Sequence, residues 1–313
     1  MNSAPEVSIC LTSFNRGRYI AKTLDSLLTQ DFHDFELLVQ DDCSTDDAED
    51  VCREYERRDS RVHFVRNRTN LGMPGNLNAV IARARGEFVA NLHDGDIYRP
   101  DLLQRWRLAL RDTEAAFVFC ALEFVGHDGF QIQVDVHPFG PMFERGALVA
   151  YMLERFGSPV WGTVMARRSC YEKLGYFNPE YSWISDVEMW MRLNLHYPVA
   201  YVAVPLIQLT PHEPDRPYAS LNWDLECAAV RMRHRIAERY FAGNAPALQA
   251  YLARFGRAQD RRWLFLAASS LRRGDWRKSL EACRVFRSSS RTALRLAGHS
   301  LFLPMWLCNL RND

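Results

Sequence analysis

The residues of this sequence best suited to chemistry are carboxylates in two segments about 90 residues apart. Asp94 and Asp96 flank Gly95, so in a loop both carboxylates can turn toward one site. Hard divalent cations such as Mg²⁺ and Mn²⁺ take oxygen ligands of this kind and complete their coordination with phosphates and water. The spacing therefore predicts a site for Mn²⁺ or Mg²⁺ beside a diphosphate. The alternative is a surface turn in which one aspartate caps the following helix.

The second segment surrounds Asp186, near the start of a predicted amphipathic helix. A carboxylate there can act as a general base if it lies within hydrogen-bond reach of the proton that it removes. It can equally serve as a helix cap, because the helix dipole favours negative charge at the N-terminus. Glu188 is the second candidate for the base, two residues further on and pointing to another side of the helix.

A third acidic segment, Asp41 and Asp42, follows the apolar run of residues 37–39. An aspartate at the end of a strand can accept hydrogen bonds from the imide of a nucleobase or from a ribose hydroxyl. The alternative is an Asx turn or a cap for the next helix, a role that Ser44, Thr45 and Asp46 fit better.

Four further side chains could contact a ligand. His212 lies at the end of the last predicted strand, where it could be a third metal ligand, a contact to a diphosphate, or an ordinary surface or core histidine. Three tryptophans could stack on a sugar ring or pack in the core: Trp161, Trp183 and Trp190.

Strands and helices alternate along the first 215 residues. This rhythm predicts an α/β fold with a mostly parallel sheet and helices on both of its faces. In such sheets the ligand lies beyond the carboxyl ends of the strands. Three polar segments directly follow predicted strands: Thr12–Asn15, Asp41–Ser44 and Asp94–Asp96. We therefore expect these segments to meet at one edge of the sheet.

The composition changes after residue 215. We predict a catalytic domain over residues 1–215 and a basic helical C-terminal region over residues 216–313, which holds 18 Lys/Arg against 7 Asp/Glu. This region either forms a solvated helical surface or is attracted to anionic lipid headgroups or to a lipid-phosphate acceptor. The sequence shows no recognised nucleic-acid motif, so nucleic acid is not an expected partner.

The eight cysteines form no CxxC pair, and several lie in apolar runs. This pattern is typical of reduced core thiols in a cytoplasmic protein. The sequence has no recognisable signal peptide and no apolar stretch of roughly 20 residues. We therefore expect a cytoplasmic location, with peripheral contact at the inner face of the membrane through the basic helices as the alternative.

Taken in order, these segments resemble the family 2 glycosyltransferases, which are inverting enzymes with a GT-A fold that use nucleotide sugars. The resemblance covers about residues 5–215. The matching segments are Thr12–Arg16, Phe35–Ser44, Asn70–Gly72, Ala84–Val89, Asp94–Asp96, Leu174–Phe177 and Asp186–Trp190. Two positions differ from the family pattern, because Gly95 replaces an aspartate and Ser185 replaces the glutamate that usually precedes the base.

The resemblance implies a role for each candidate residue. Metal and diphosphate would be held by Asp94 and Asp96, with His212 close to the metal, and the substitution at Gly95 leaves open which aspartate is the main ligand. Asp186 would be the catalytic base. Nucleotide contacts are implied for Thr12, Phe14, Asn15, Asp41, Asp42, Gly72 and Asp94.

The expected reaction is transfer of a sugar from a UDP-, dTDP- or GDP-linked donor to a hydroxyl of a saccharide or lipid-linked acceptor, in the assembly of bacterial surface polysaccharide or glycan. One alternative is a nucleotidyltransferase, although residues 12–17 do not form the Gly-rich, Lys/Arg-bearing phosphate loop usual in that class. The other is a nucleotide-sugar-binding or scaffold protein that has lost catalysis, which the differences at Gly95 and Ser185 leave open.

Overall fold

A computed structural model describes residues 4–126, 130–210, 223–272, 274–277, 279–280 and 283, without the side chains of residues 223–227 and 266. The chain divides into two compact units, Met1–Tyr240 and Phe241–Asp313. The first unit contains the sheet, and the long helix Ala245–Arg272 lies in the second. The predicted boundary between residues 215 and 216 lies outside the described residues and stays a prediction.

The described strands of the first unit form one sheet. Their bounds are β1 (Val7–Ser13), β2 (Phe35–Asp41), β3 (Val62–Arg66), β4 (Phe88–His93), β5 (Ile97–Tyr98), β6 (Phe117–Val125), β7 (Gln131–Asp135), β8 (Met142–Phe143), β9 (Val164–Arg167) and β10 (Val199–Leu209). Their order is β3-β2-β1-β4-β9-β6-β10-β5, while β7 pairs with β6 and β8 with β10.

The helices fall between these strands and after them. Their bounds are α1 (Gly17–Leu28), α2 (Ala48–Arg58), α3 (Gly72–Ile81), α4 (Leu102–Arg111), α5 (Ala147–Arg155), α6 (Arg168–Leu174), α7 (Ser185–Asn194), α8 (Trp223–Tyr240) and α9 (Ala245–Arg272). A 3₁₀ helix, Pro179–Ile184, directly precedes α7. None of the described helices is both long enough and apolar enough to cross a membrane.

The predicted α/β fold is confirmed. Parallel pairing joins β3, β2, β1 and β4, and also joins β6 to β10. Every residue of β2 and all but one residue of β1 are buried. This is expected where both faces of a parallel sheet are covered. Antiparallel pairing enters where β9 lies between β4 and β6, and at the short strands β5, β7 and β8.

The register of the parallel strands brings their carboxyl ends to one level. Ser13 is paired with Asp41 across β1 and β2, and Thr12 is paired with His93 across β1 and β4. The loops that follow these strands therefore start side by side, as expected for the three polar segments. Four cysteines are buried thiols: Cys10, Cys52, Cys120 and Cys170.

Candidate active site

The loop that carries the two paired aspartates is held from both sides by threonine hydroxyls. Thr23 Oγ1 in α1 donates to Asp96 O at 2.8 Å and accepts from Gly95 N at 3.0 Å. Thr210 Oγ1, just after β10, donates to Gly95 O at 2.6 Å. Gly95 has φ of +89°, a conformation that side-chain-bearing residues rarely adopt. The conformation of this loop therefore favours glycine at position 95, where the family pattern has an aspartate.

The backbone just before this loop is held by Tyr98. Its hydroxyl donates to His93 O at 2.9 Å and accepts from His93 N at 2.8 Å. Burial raises the pKa of Tyr98, so the hydroxyl keeps the proton that it donates. Tyr98 therefore holds the main chain at the end of β4, directly before the paired aspartates.

The donor atoms of the loop suit a divalent cation that is shared with a phosphate. Asp94 and Asp96 are 9% and 2% exposed, and carboxylate oxygen is the ligand that Mg²⁺ and Mn²⁺ prefer. Among the described residues there is no cluster of three or more His, Cys, Asp or Glu that could hold a metal ion. His212 lies outside those residues. Two carboxylates fit an ion that takes its remaining ligands from phosphate and water.

Asp186 lies in the first turn of α7 and does not cap it. The N-cap residue is Ile184, and no side chain caps this helix end. Asp186 Oδ1 instead accepts a hydrogen bond from Val187 N at 2.7 Å. Desolvation by the surrounding protein raises the pKa of Asp186 from 3.8 to about 6. Such a carboxylate is still largely ionised at neutral pH and is a stronger base than an ordinary aspartate.

Asp186 lies beside the end of β4, at Gly162. A Cβ atom added to Gly162 would stand 3.0 Å from Asp186 Oδ2 and 2.8 Å from His93 Cε1. Gly162 has φ of +86°. The carboxylate of Asp186 and the imidazole of His93 therefore both approach the space beside the Cα atom of Gly162, which is open because glycine has no side chain. The base candidate is thereby brought next to the residue that precedes Asp94.

His93 and Gly162 were not predicted from the sequence as site residues. His93 gave a usable signal, because it directly precedes Asp94 at the end of a predicted strand. Gly162 gave none, since its importance comes from neighbours that are distant in sequence.

Glu188, the second candidate for the base, is bound to an arginine. Its side chain is 6% exposed and pairs with Arg192, with 3.0 Å between Glu188 Oε1 and Arg192 Nε. Arg192 also donates to the main-chain oxygens of Leu174, Gly175 and Tyr176. Glu188 thus orients an arginine that holds this turn, which leaves Asp186 as the candidate base.

The two aspartates after β2 have different surroundings. Asp42 Oδ1 accepts from Leu71 N at 2.7 Å and from Asn67 Nδ2 at 2.9 Å, and no described residue donates to its Oδ2. Asp41 is fully buried. It accepts from Ser44 N at 2.9 Å and from the Ser44 hydroxyl, and it lies 3.4 Å from Arg66 Nε. Asp41 therefore shapes the turn, while Asp42 keeps an acceptor atom for a ligand.

Asn15 joins the loops that follow β1 and β2. Its main-chain N donates to Ser44 Oγ at 2.8 Å, and its side-chain Oδ1 accepts from Thr45 N at 2.8 Å. Thr12 is half-buried between Gln40 and His93 in the register of the sheet. The hydrogen bonds of Asn15 therefore hold the loop after β1 against the loop after β2.

Phe14 and Gly72 lie in the loops near this edge, and two of the three tryptophans are exposed. Phe14 is 47% exposed, which leaves its ring available for stacking. Gly72 starts α3 with φ of +71°, and its N donates to Asn70 Oδ1 at 2.9 Å. Trp161, beside Gly162, is 51% exposed and Trp183 is 40% exposed.

Trp190 is a core residue. Its side chain is fully buried and packs against Phe117 and Phe177, with ring centroids 5.1 and 5.6 Å away. Of the two interpretations made for the tryptophans, core packing therefore applies here.

The comparisons with known proteins agree on one family and one fold. The family model described as Glycosyl transferase family 2 matches residues 8–175. The putative teichuronic acid biosynthesis glycosyltransferase TuaG of Bacillus subtilis is 32% identical over 136 residues, which are 44% of this chain and 54% of that protein. The putative glycosyltransferase EpsE of the same organism is 27% identical over 197 residues, 61% of this chain and 68% of that protein. The match to TuaG thus spans about half of that relative's length.

Two solved structures share the fold. Residues 1–349 of S. aureus TarS, in complex with UDP-GlcNAc, align with a TM-score of 0.60 at 18% identity over 91% of this chain and 92% of that one. A mannosyltransferase from Pyrobaculum calidifontis, in complex with GDP-Man and Mn²⁺, aligns with a TM-score of 0.50 at 17% identity over 98% and 83%. Identities this low support the fold alone.

Proposed function

Since the chain belongs to glycosyl transferase family 2, we propose that it is an inverting glycosyltransferase that moves a sugar from a nucleoside-diphosphate sugar to an acceptor hydroxyl. One observation carries this proposal. Asp186, with a raised pKa, converges with His93 at Gly162, and His93 directly precedes the paired carboxylates of Asp94 and Asp96. This proximity supports a base candidate that lies next to the proposed diphosphate site.

The reaction follows from this arrangement. Asp186 takes the proton of the acceptor hydroxyl while that oxygen attacks the anomeric carbon. The bond from that carbon to the diphosphate oxygen breaks on the opposite face, so the sugar leaves with inverted configuration. Asp186 ends protonated, and the nucleoside diphosphate carries away the electron pair. Mn²⁺ or Mg²⁺ bound at Asp94 and Asp96, with His212 as a further ligand, would supply positive charge against the departing diphosphate.

The edge formed by the loops after β1 and β2 would bind the nucleoside. Asp42 Oδ2 can accept from the imide of a base or from a ribose hydroxyl, and the exposed ring of Phe14 can stack on the base. Thr12, Gly72 and Asp94 would line the same path. Asn15 and Asp41 would act through the shape of the loops, because their side chains are bound to neighbouring residues of these loops.

The donor and the biological setting are proposed from the relatives. A solved relative holds UDP-GlcNAc and another holds GDP-Man, which supports a UDP- or GDP-linked donor, with dTDP as the remaining candidate. The name of TuaG refers to teichuronic acid biosynthesis, which supports assembly of a bacterial surface polysaccharide on a saccharide or lipid-linked acceptor. The basic composition of residues 216–313 supports peripheral contact with the inner face of the membrane.

The raised pKa of Asp186 favours an enzyme over a scaffold that has lost catalysis. A desolvated carboxylate destabilises the folded chain at neutral pH, and such costs concentrate at functional sites. Ser185, in place of the usual glutamate, is fully buried, with its hydroxyl 3.9 Å from Met73 Sδ. The substitution is therefore accommodated by packing and leaves the carboxylate of Asp186 in place.

The direct test is a thermal-shift screen of UDP-, GDP- and dTDP-sugars with Mn²⁺, followed by measurement of nucleoside diphosphate release from the donor that binds. We expect one nucleotide class to stabilise the chain and to be slowly hydrolysed without an acceptor. Stabilisation without any release or transfer would favour the scaffold, and no stabilisation by any of the three would contradict the proposal.

A further inference from the structure

Helix α8 follows the segment that the family model matches, yet it belongs to the same compact unit as the sheet. Within that unit it contacts α7 and also two segments that precede parts of the candidate site. One is the 3₁₀ helix Pro179–Ile184, which runs directly into α7 and Asp186. The other is α5, which precedes the segment carrying Gly162.

Arg235 of α8 binds the 3₁₀ helix through two neighbouring residues. Its Nη1 donates to Glu180 Oε2 at 2.6 Å and to the hydroxyl of Tyr181 at 2.8 Å. Tyr181 is 3% exposed, so its ring is anchored in the core while its hydroxyl meets the guanidinium. Arg231 approaches the same glutamate less closely, with 3.7 Å between its Nε and Glu180 Oε1.

The residue after this double contact has a strained backbone. Ser182 has φ of 46° and ψ of −126°, a region ordinarily left to glycine. Strain of this kind persists only where the surroundings hold the backbone in place, and it clusters at functional sites. The contacts of Arg235 lie immediately before Ser182, and Asp186 lies four residues after it. The turn that delivers the base candidate is thus held on its upstream side by α8.

The same helix also braces α5. Arg233, 8% exposed, donates from Nη1 to Met152 O at 3.0 Å. At the other end of α5, the ring of Tyr240 lies so close to Gly146 that an added Cβ would stand 3.2 Å from Tyr240 Cε2. Helix α8 therefore contacts α5 near both of its ends, and the chain continues from α5 to Gly162.

We propose that α8 is a positioning helix for the catalytic base and that Arg235 is its main positioning residue, an inference that rests on the role proposed for Asp186. A base must lie within hydrogen-bond reach of its proton, and a displacement of about 1 Å by a distant change can lower a rate about a hundredfold. The side chain of Arg235 is 50% exposed, so the ion pair itself contributes little to the free energy of unfolding. Its loss should slow turnover rather than unfold the unit.

Three variants test this. Arg235→Met keeps the aliphatic stem but removes the guanidinium, and it should lower kcat about tenfold or more while leaving the Kd for the donor, measured by calorimetry, unchanged. Arg235→Lys retains a charge for Glu180 and should recover part of the rate. Arg239→Met, one turn further along α8, is the matched control because Arg239 is exposed and forms no ion pair with a described residue. With UDP-GlcNAc or GDP-mannose as the donor, Arg239→Met should have the same kcat and the same donor Kd as the unchanged protein.

Hydrogen exchange supplies a readout that does not depend on any donor. The amides of residues 181–187 should exchange faster in Arg235→Met than in Arg239→Met, while the melting temperature of the two variants stays equal. Unchanged exchange, or a fall in activity that only follows a lower melting temperature, would overturn the role of Arg235. If the unchanged protein uses no UDP-, GDP- or dTDP-sugar, the proposed function is contradicted, whereas the exchange result still decides whether α8 holds this turn.

Discussion

The carboxylate of Asp186 and the imidazole of His93 both approach Gly162, since a Cβ atom added there would lie 3.0 Å from Asp186 Oδ2 and 2.8 Å from His93 Cε1. His93 ends β4, in the parallel half of the sheet, and Asp186 lies in the first turn of α7, much later in the chain. This approach places the base candidate beside the residue that directly precedes the paired aspartates.

Replacing Asp186 by asparagine should nearly abolish sugar transfer, because the amide cannot take the acceptor's proton. General-base catalysis contributes about 10²–10⁴-fold, so a loss of this size is expected. Donor affinity measured by calorimetry should be nearly unchanged. Asp112→Asn, at an exposed aspartate after α4, is the control. Full transfer by the Asp186 variant would show that another group is the base.

The same variant should be more stable than the unchanged protein at neutral pH. The folded-state pKa of Asp186 is raised to about 6, so the folded chain binds this proton more tightly than the unfolded chain does. The stabilisation that protonation provides is lost as the pH rises from about 4 through about 6, and above that the charge costs about 1–3 kcal/mol.

Urea unfolding of both proteins measures this effect. Asp186→Asn should unfold at higher urea than the unchanged protein at about pH 7.5, and the difference should shrink at about pH 5. A variant that is less stable at the higher pH, or a difference that does not change with pH, would show that Asp186 is not held in a desolvated site.

A methyl group at Gly162 should impair the site. In Gly162→Ala the new Cβ would press on His93 and Asp186, and the φ of +86° adds backbone strain. Gly243→Ala is the matched control, because Gly243 has φ of +82° with nothing within 4 Å of the added atom. Both variants should lose about 1–2 kcal/mol of stability from the left-handed backbone.

Only the change at Gly162 should reduce kcat, by about tenfold or more. The measurement is steady-state transfer alongside urea unfolding for both variants. Equal activity in Gly162→Ala and Gly243→Ala would show that the space between Gly162, His93 and Asp186 takes no part in the reaction.

Removing either paired carboxylate should weaken metal-dependent nucleotide binding. Asp94→Ala and Asp96→Ala each remove oxygen ligands from a cation shared with the diphosphate. Calorimetry with UDP or GDP should show that Mn²⁺ increases affinity in the unchanged protein and much less in each variant. The larger loss identifies the main ligand. Affinities that respond to Mn²⁺ as before in both variants would place the metal elsewhere.

Much of the fold follows from local patterns in the chain. The apolar runs that begin at Val7 and Phe35 predict buried strands, and the helical spacing between them predicts the covering helices. Both are short-range properties, set by a period of two or of 3.6 residues. The polar segments after these strands could be assigned to one edge, because parallel strands end at the same side of a sheet. A strand over residues 160–167 could be predicted from its apolar residues, but the antiparallel position of β9 between β4 and β6 could not.

The amino-acid sequence by itself determined which side chains could do chemistry and at which edge of the sheet they would gather. Only the tertiary structure decided that Asp186 and His93 both approach Gly162, that Glu188 is bound to Arg192, and that Arg235 holds a turn 55 residues earlier in the chain. It also decided the pKa of Asp186. These properties come from packing between distant segments, and desolvation and contact distance have no counterpart in the local periodicity of a sequence.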